Sequence, residues 1–187
     1  MKTRDLAYVA LFAAIIAVLG TLPAVNVGPV PITAQTLGVM LAGSILGARR
    51  GFLAVLLFLV LVAVGLPLLA SGAGGLAPFA GPTAGYLFSW PVAAFVIGWL
   101  TERSWDRYTV LRGTLFNVLG GIVVIYAIGV PVLKAVTGLP WDTALWTGAA
   151  VFVPGDLFKA FVAAAVADVV RRSYPVIDRP RRTATTR

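Results

Sequence analysis

The sequence predicts an all-α membrane protein, a bundle of six transmembrane helices with both termini in the cytoplasm. Three observations carry this. Of the 187 residues, 59% are hydrophobic and only 12% charged, whereas a soluble domain carries about a quarter charged residues. No Lys, Arg, Asp or Glu occurs from Leu6 to Ala48, or from Gly51 to Thr101. A bilayer-spanning helix needs about 20 apolar residues, so each stretch is too long for one span and suits two. Finally, thirteen of the fifteen Lys and Arg residues fall into four clusters: Lys2/Arg4, Arg49/Arg50, Arg103/Arg107/Arg112, and the group from Arg171 to Arg187. The clusters sit at alternate ends of the predicted spans, as the positive-inside rule requires. They account for the net charge of +8 without invoking a nucleic-acid groove.

The six spans are predicted over 5–22, 35–48, 51–68, 83–101, 112–130 and 154–171. Residues 1–172 then form one transmembrane domain, and 173–187 a basic cytoplasmic tail. Lys2, Arg4 and the apolar run to Leu19 have the layout of a signal peptide, with small residues near Ala24. The same apolar texture continues along the chain, so this segment is read as the first span. The second span is short and polar for its class. With the N-terminus inside, the outer loops are 23–34, 69–82 and 131–153, which share a single basic residue, Lys134. No internal repeat is visible. With no Cys and no His, disulfides, thiol catalysis and Cys/His metal sites are excluded. Small residues four apart let helices approach closely in lipid. Ala10/Ala14 and Ala13/Ala17 in the first span, and Gly38/Ala42 and Gly43/Gly47 in the second, have this spacing. On composition alone, packing within the bundle explains them.

An ionisable residue inside a span marks function by default, and the segment from Pro154 to Lys159, PGDLFK, supplies two. Pro154 suits a helix start, which puts Asp156 in a first turn where the helix dipole favours a carboxylate. Lys159 lies three residues on, on the same face, and needs an anion. Two readings stand open: Asp156 alone supplies it, or a bound carboxylate ligand shares it. Asp168, beside Arg171 and Arg172, reads as an interfacial salt-bridge partner. The stretch from Leu68 to Pro82, LLASGAGGLAPFAGP, holds four glycines and no charge. Glycine density of this kind breaks a helix, yet a loop in open water would carry charge. It therefore reads as a lid or re-entrant cap over a cavity, with Gly74, Gly75 and Phe79 in the candidate site. Thr83 and Tyr86 follow and face the same space. Within PVPITAQ, Thr33 is placed to cap the second span, which leaves Gln35 as an uncharged amide near the outer mouth. Asn117 reads as an interhelical hydrogen bond.

Together, PVPITAQTLGVMLAG, the glycine loop running into GPTAGYL, and VPGDLFK resemble the signature stretches of the BioY family, in the expected order and spacing. That family is the biotin-specific substrate-binding (S) component of energy-coupling factor (ECF) importers. The resemblance covers Leu6 to Arg171, with one departure: Ala84 stands where the pattern usually has a second glycine. It implies a six-helix bundle in the bacterial cytoplasmic membrane, holding biotin near the outer surface. It also implies a transmembrane coupling (T) protein and cytoplasmic ATPase subunits as partners. The chain has no G-x-x-x-x-G-K-[ST] loop, so ATP hydrolysis is expected on those subunits. Biotin is expected as the ligand and no cofactor is. Lys159 is expected to face the biotin carboxylate. Asp156 either orients Lys159 or accepts from a ureido N–H, and both stay open. The resemblance makes Ala10, Ala13, Ala14 and Ala17 candidates for the surface that meets the coupling protein.

The nearest rival is a stand-alone carrier for another small carboxylate-bearing solute or vitamin. An intramembrane enzyme fits poorly. A serine protease needs a base for its nucleophile and there is no His, while Asp156 has no second intramembrane carboxylate facing it. A purely structural scaffold has no use for an Asp–Lys step beneath a charge-free glycine loop.

Overall fold

The computed structural model describes residues 2–26 and 28–177. Of the basic tail, residues 178–187 lie outside the described part. The chain is all-helical apart from a two-residue antiparallel ribbon, β1 (Val25–Asn26) against β2 (Pro31–Ile32), with Val25 opposite Ile32. The helical stretches are α1 (Thr3–Gly20), α2 (Gln35–Leu46), α3 (Ala48–Ala63), α4 (Ala84–Arg103), α5 (Val110–Thr137) and α6 (Trp141–Ser173). Of these, α1, α4, α5 and α6 are long and apolar enough to cross a membrane. Large apolar side chains such as Leu11, Val60, Phe95, Leu115 and Phe161 face outward, while Gln35, Asn117 and Asp156 are buried inside. Apolar outside and polar within is the arrangement lipid demands.

The polar texture of α2 follows from its position. It packs against α1, α3, α4 and α6, and nine of its twelve residues are buried. A helix covered on all sides needs no lipid-facing stripe. Its glycines set the spacing: a methyl at Gly38 would sit 2.8 Å from Ile16 of α1, and one at Gly43 2.7 Å from the Ala94 carbonyl of α4. Both small pairs of α2 are therefore spent on internal packing. Ser44 donates to Asn117 Oδ1 (2.9 Å), and Asn117 Nδ2 donates to the Ala160 carbonyl (3.0 Å), which ties α2, α5 and α6 together as expected of Asn117.

Helix α1 divides its alanines. Ala13 is buried in the bundle and Ala17 packs against the core, whereas Ala10 and Ala14 are exposed. Ala13 thus cannot meet a partner, because the neighbouring helices already cover it. Ala10 and Ala14 remain available.

Two predicted span ends move: α3 stops at Ala63 rather than Leu68, and α5 runs past Val130. Helix α5 runs through Pro131 to Thr137 and stops at Gly138, whose φ of +71° suits a left-handed cap. The helix predicted to start at Pro154 is present as Val153–Ser173, with Pro154 in its first turn, and a further helical segment from Trp141 precedes it in α6. A π-turn over Trp146–Ala150 interrupts it, and regular helix resumes over Val153–Ser173. The outer connection expected over 131–153 shrinks to residues 138–140, and Asp156 lies in the first turn of the regular helix, as expected, just after the break at residues 151–152. Stretches of 28 and 33 residues measure about 42 and 50 Å at 1.5 Å per residue, more than a hydrocarbon core of about 30 Å.

The other end of the bundle is clasped by Arg50. Its guanidinium donates to Asp5 Oδ1 (3.2 Å), to the Leu46 carbonyl (3.1 Å) and to the Val176 carbonyl (2.9 Å). Asp168 pairs with Arg171 (2.9 Å) and Arg172 (2.8 Å), as its sequence neighbours suggested. Only Gly47, at φ +84°, separates α2 from α3. The first N–H of α3, that of Ala48, donates to Glu102 Oε1 (2.8 Å).

Candidate functional site

A cavity of about 270 Å³ lies where the β ribbon, the 66–82 loop, the starts of α2 and α4 and the middle stretches of α5 and α6 converge. Small-molecule pockets run from about 300 Å³ upward, so this one admits a compact ligand. Each predicted motif contributes a wall. From PVPITAQ come Thr33, Gln35 and Thr36; from the glycine loop, Leu69, Ala70 and Ala73; from the start of α4, Thr83 and Tyr86; and from α6, Asp156 and Lys159.

The charged pair sits in one wall. Lys159 Nζ donates to Asp156 Oδ1 (2.8 Å), to Thr36 Oγ1 (3.0 Å) and to the Thr33 carbonyl (2.6 Å). All three ammonium protons are engaged. Thr36 Oγ1 lies 3.3 Å from Asp156 Oδ1, and the Tyr126 hydroxyl donates to Asp156 Oδ2. The side chains of Asp156 and Lys159 are 4% and 15% exposed. A buried ion pair contributes little net stability, yet losing one partner strands the other charge. The ring of neutral donors and acceptors around the pair keeps both charges solvated by protein. Because Lys159 holds the Thr33 carbonyl, the pair also ties the segment leading into α2 to α6.

Gln35 has a different place from the one expected. Its Nε2 donates to the Ile16 carbonyl (3.3 Å) and the Leu68 carbonyl (3.1 Å), and its Oε1 accepts from the Ala70 N–H (3.2 Å). The amide is 1% exposed and fully engaged. It lines the cavity and fixes the turn Leu68–Ala70 in position, with both N–H groups spent on backbone carbonyls. Thr33 accepts from the Gln35 N–H at 3.3 Å, capping α2 one residue earlier than usual. Tyr86 lines the cavity, but its hydroxyl donates to the Gly148 carbonyl (2.7 Å) in the α6 π-turn. It offers a ring face to the space and anchors α4 to α6.

The glycine loop forms part of the cavity wall through its alanines, leucine, prolines and Gly81, and Gly74, Gly75 and Phe79 are not among the lining residues. Gly74 fits under the Leu66 carbonyl where a methyl would collide. Gly75 has φ +79° and donates its N–H to the Val62 carbonyl (2.8 Å). These two shape the loop and hold it on α3. Phe79 packs against Phe88 with the rings tilted by 51° and their centres 5.8 Å apart.

Sequence reasoning missed Thr36, Trp90, Tyr126 and Phe152. Trp90 is one helical turn from Tyr86, so the spacing placed it on the same face. Tyr126 is the one hydroxyl in the run GGIVVIYAIG, and it directly follows the π-turn Leu119–Val124. Such turns are common at functional sites.

A family model described as the BioY family matches residues 1–176. The chain belongs to the BioY family. It is 51% identical over 184 residues to a biotin transporter BioY of Rhizobium etli, covering 95% of this chain and 98% of the relative. It is 46% identical to a biotin transporter BioY of Rhodobacter capsulatus, covering 92% and 95%. The fold superimposes on a crystal structure described as the S-component for biotin from an ECF-type ABC transporter. The TM-score is 0.88 and the identity 32%, with 94% of this chain and 97% of that one covered. The three BioY-like motifs are separated in sequence by tens of residues and meet at this one cavity. Ala84, the departure from the BioY pattern, is buried at the start of α4 and does not line it.

Proposed function

We propose that this protein binds biotin in the cavity and takes it up as the S component of an ECF-type importer. The observation that carries the reading is the engaged Asp156–Lys159 pair in the wall of a largely apolar, aromatic-walled cavity. The names of the family relatives and of the 32%-identical structure give the ligand its identity. They favour biotin over another carboxylate-bearing solute, and a transport protein over an enzyme.

Biotin has a ureido head, an apolar thioether ring and a valerate tail ending in a carboxylate. Trp90, Tyr86, Tyr126 and Phe152 give ring faces to its apolar body, and the pair meets its polar ends. Lys159 is assigned to the carboxylate, trading its bond to the Thr33 carbonyl for a charge-assisted one. Asp156, held by Tyr126 and Thr36, keeps Lys159 aimed. The chain is proposed to lie in the bacterial cytoplasmic membrane, with six spans over residues 1–172 and both termini inside. Its proposed partners are a T protein, on which the exposed Ala10/Ala14 ridge docks, and cytoplasmic ATPases.

The test is Lys159→Met. Loss of a charge-assisted hydrogen bond costs about 1.5–3 kcal/mol, so biotin affinity measured by calorimetry falls roughly ten- to 150-fold. Biotinamide, whose carboxylate is replaced by an uncharged amide, binds the wild type more weakly and loses much less on the substitution. Equal losses for acid and amide would make Lys159 a purely structural partner of Asp156.

A further inference from the structure

The basic residues at the end of α4 and the start of α5 enter the orientation argument only as a count, but three of them share a second pocket. The 3₁₀ turn Trp105–Arg107 closes a space of about 460 Å³ between the two helices, lined by Arg103, Arg107, Arg112, Glu102, Trp105 and Asp106. No carboxylate among the described residues pairs with any of the three arginines. Glu102 is committed to the Ala48 N–H at 2.8 Å, and Asp106 pairs with none of them. Arg112 spends one N–H on the Arg107 carbonyl (2.8 Å), and the Arg103 guanidinium lies 3.9 Å above the Trp99 ring. Among the described residues the Arg107 fork and the remaining N–H groups of the other two meet no protein acceptor, and all three side chains are exposed at the pocket. Arg112 also sits in the first turn of α5, where the helix dipole does nothing to stabilise a cation.

The depth of the pocket narrows what the missing anion is. Trp99 is exposed on the outside of the bundle, and Trp together with Arg at a span end marks the headgroup level of a bilayer. Phe95, one turn further into the span, is exposed as well. A planar guanidinium is weakly hydrated and matches two oxygens of a phosphate at once, and basic pockets at span ends bind acidic headgroups. We infer that Arg103, Arg107 and Arg112 bind the phosphate of an anionic phospholipid, whose acyl chains run along Trp99 and Phe95. This rests on α4 and α5 spanning the membrane and is independent of the ligand in the cavity.

The full chain, purified in detergent, is titrated with phosphatidylglycerol, with phosphatidylcholine and with inorganic phosphate, and bound molecules are counted by native mass spectrometry. One phosphatidylglycerol is expected to bind in preference to phosphatidylcholine, and more weakly as salt is raised. Each arginine near an anionic surface is worth about fivefold. The triple variant Arg103→Gln, Arg107→Gln, Arg112→Gln is therefore expected to lose roughly a hundredfold, with gel filtration reporting that it stays folded. The corresponding triple Arg→Lys variant keeps the charge and loses the fork, so it falls between the two. Should the glutamine variant not fold, the lysine variant and the wild-type preference between the two lipids carry the test. Equal retention of the two lipids, or undiminished phosphatidylglycerol binding in the folded glutamine variant, would overturn the proposal. Inorganic phosphate binding as tightly as the lipid would do so too, since the pocket would then serve a soluble anion.

Discussion

Gln35 reads in the sequence as a free amide at the cavity mouth, and the structure spends it on three backbone groups of α1 and the Leu68–Ala70 turn. Replacing it with Glu points a carboxylate oxygen at two carbonyls and removes both donors. A buried polar group left without its partner costs about 1–3 kcal/mol, so Gln35→Glu is expected to lower unfolding stability in detergent by that amount. If Gln35 acts through the turn it holds and not on the ligand's carboxylate, biotin and biotinamide lose affinity by the same factor, unlike their response to Lys159→Met. A Gln35→Glu protein of unchanged stability would remove the clamp role. The charged residues of the site are legible from sequence because a charge inside a span is costly and so conspicuous. Tyr126 and Trp90 are not, since an aromatic ring in an apolar run is what any span contains. Nor does sequence say which way an amide turns: Gln35 is fixed by carbonyls 19 and 33 residues away in the chain.

Among the elements, Pro154 behaves as read, standing in the first turn of the regular helix Val153–Ser173 with Asp156 beside it. The fifth span, by contrast, runs on through Pro131, since in lipid no water competes for the carbonyl freed by the missing N–H. The actual stop of α5 is Gly138. The glycine loop forms a wall of the cavity: Gly81 lines it, while Gly74 and Gly75 lie off the wall and set the loop's shape. Gly75→Pro tests this. Proline holds φ near −65° and has no N–H, so it cannot reproduce φ +79° and it removes the bond to the Val62 carbonyl. Biotin binding is expected to weaken while the helical content measured by circular dichroism stays unchanged, since each helix satisfies its own backbone. A cysteine at Ser71, an exposed position in this loop, should then label at the same rate with and without biotin, whereas in the otherwise wild-type background biotin slows it. Wild-type affinity in Gly75→Pro would reduce the loop to a plain connector.

At the level of the whole molecule, membrane character and helical bundle are visible from composition and charge spacing alone. The buried second helix is legible too: predicted over 35–48, it is found over Gln35–Leu46. Orientation is the next quantity to measure. The natural absence of cysteine makes single-cysteine labelling clean. With both termini inside, cysteines at Ser71 and Thr137 react with an impermeant thiol reagent added to intact cells, and a cysteine at Ser104 does not. Labelling of Ser104 from outside would invert the topology, and with it the side of the membrane from which biotin enters the cavity.

The α2–α3 corner carries a lesson for anyone wishing to fuse or split this chain. Gly47 is its only link, and Gly98 of α4 presses so closely on the Gly47–Ala48 backbone that not even a methyl group fits between them. An inserted residue there would unseat the Ala48–Glu102 bond and spread α4 from its neighbours. A reporter domain belongs instead at the exposed 138–140 connection, where the chain crosses between helices without burying either flank.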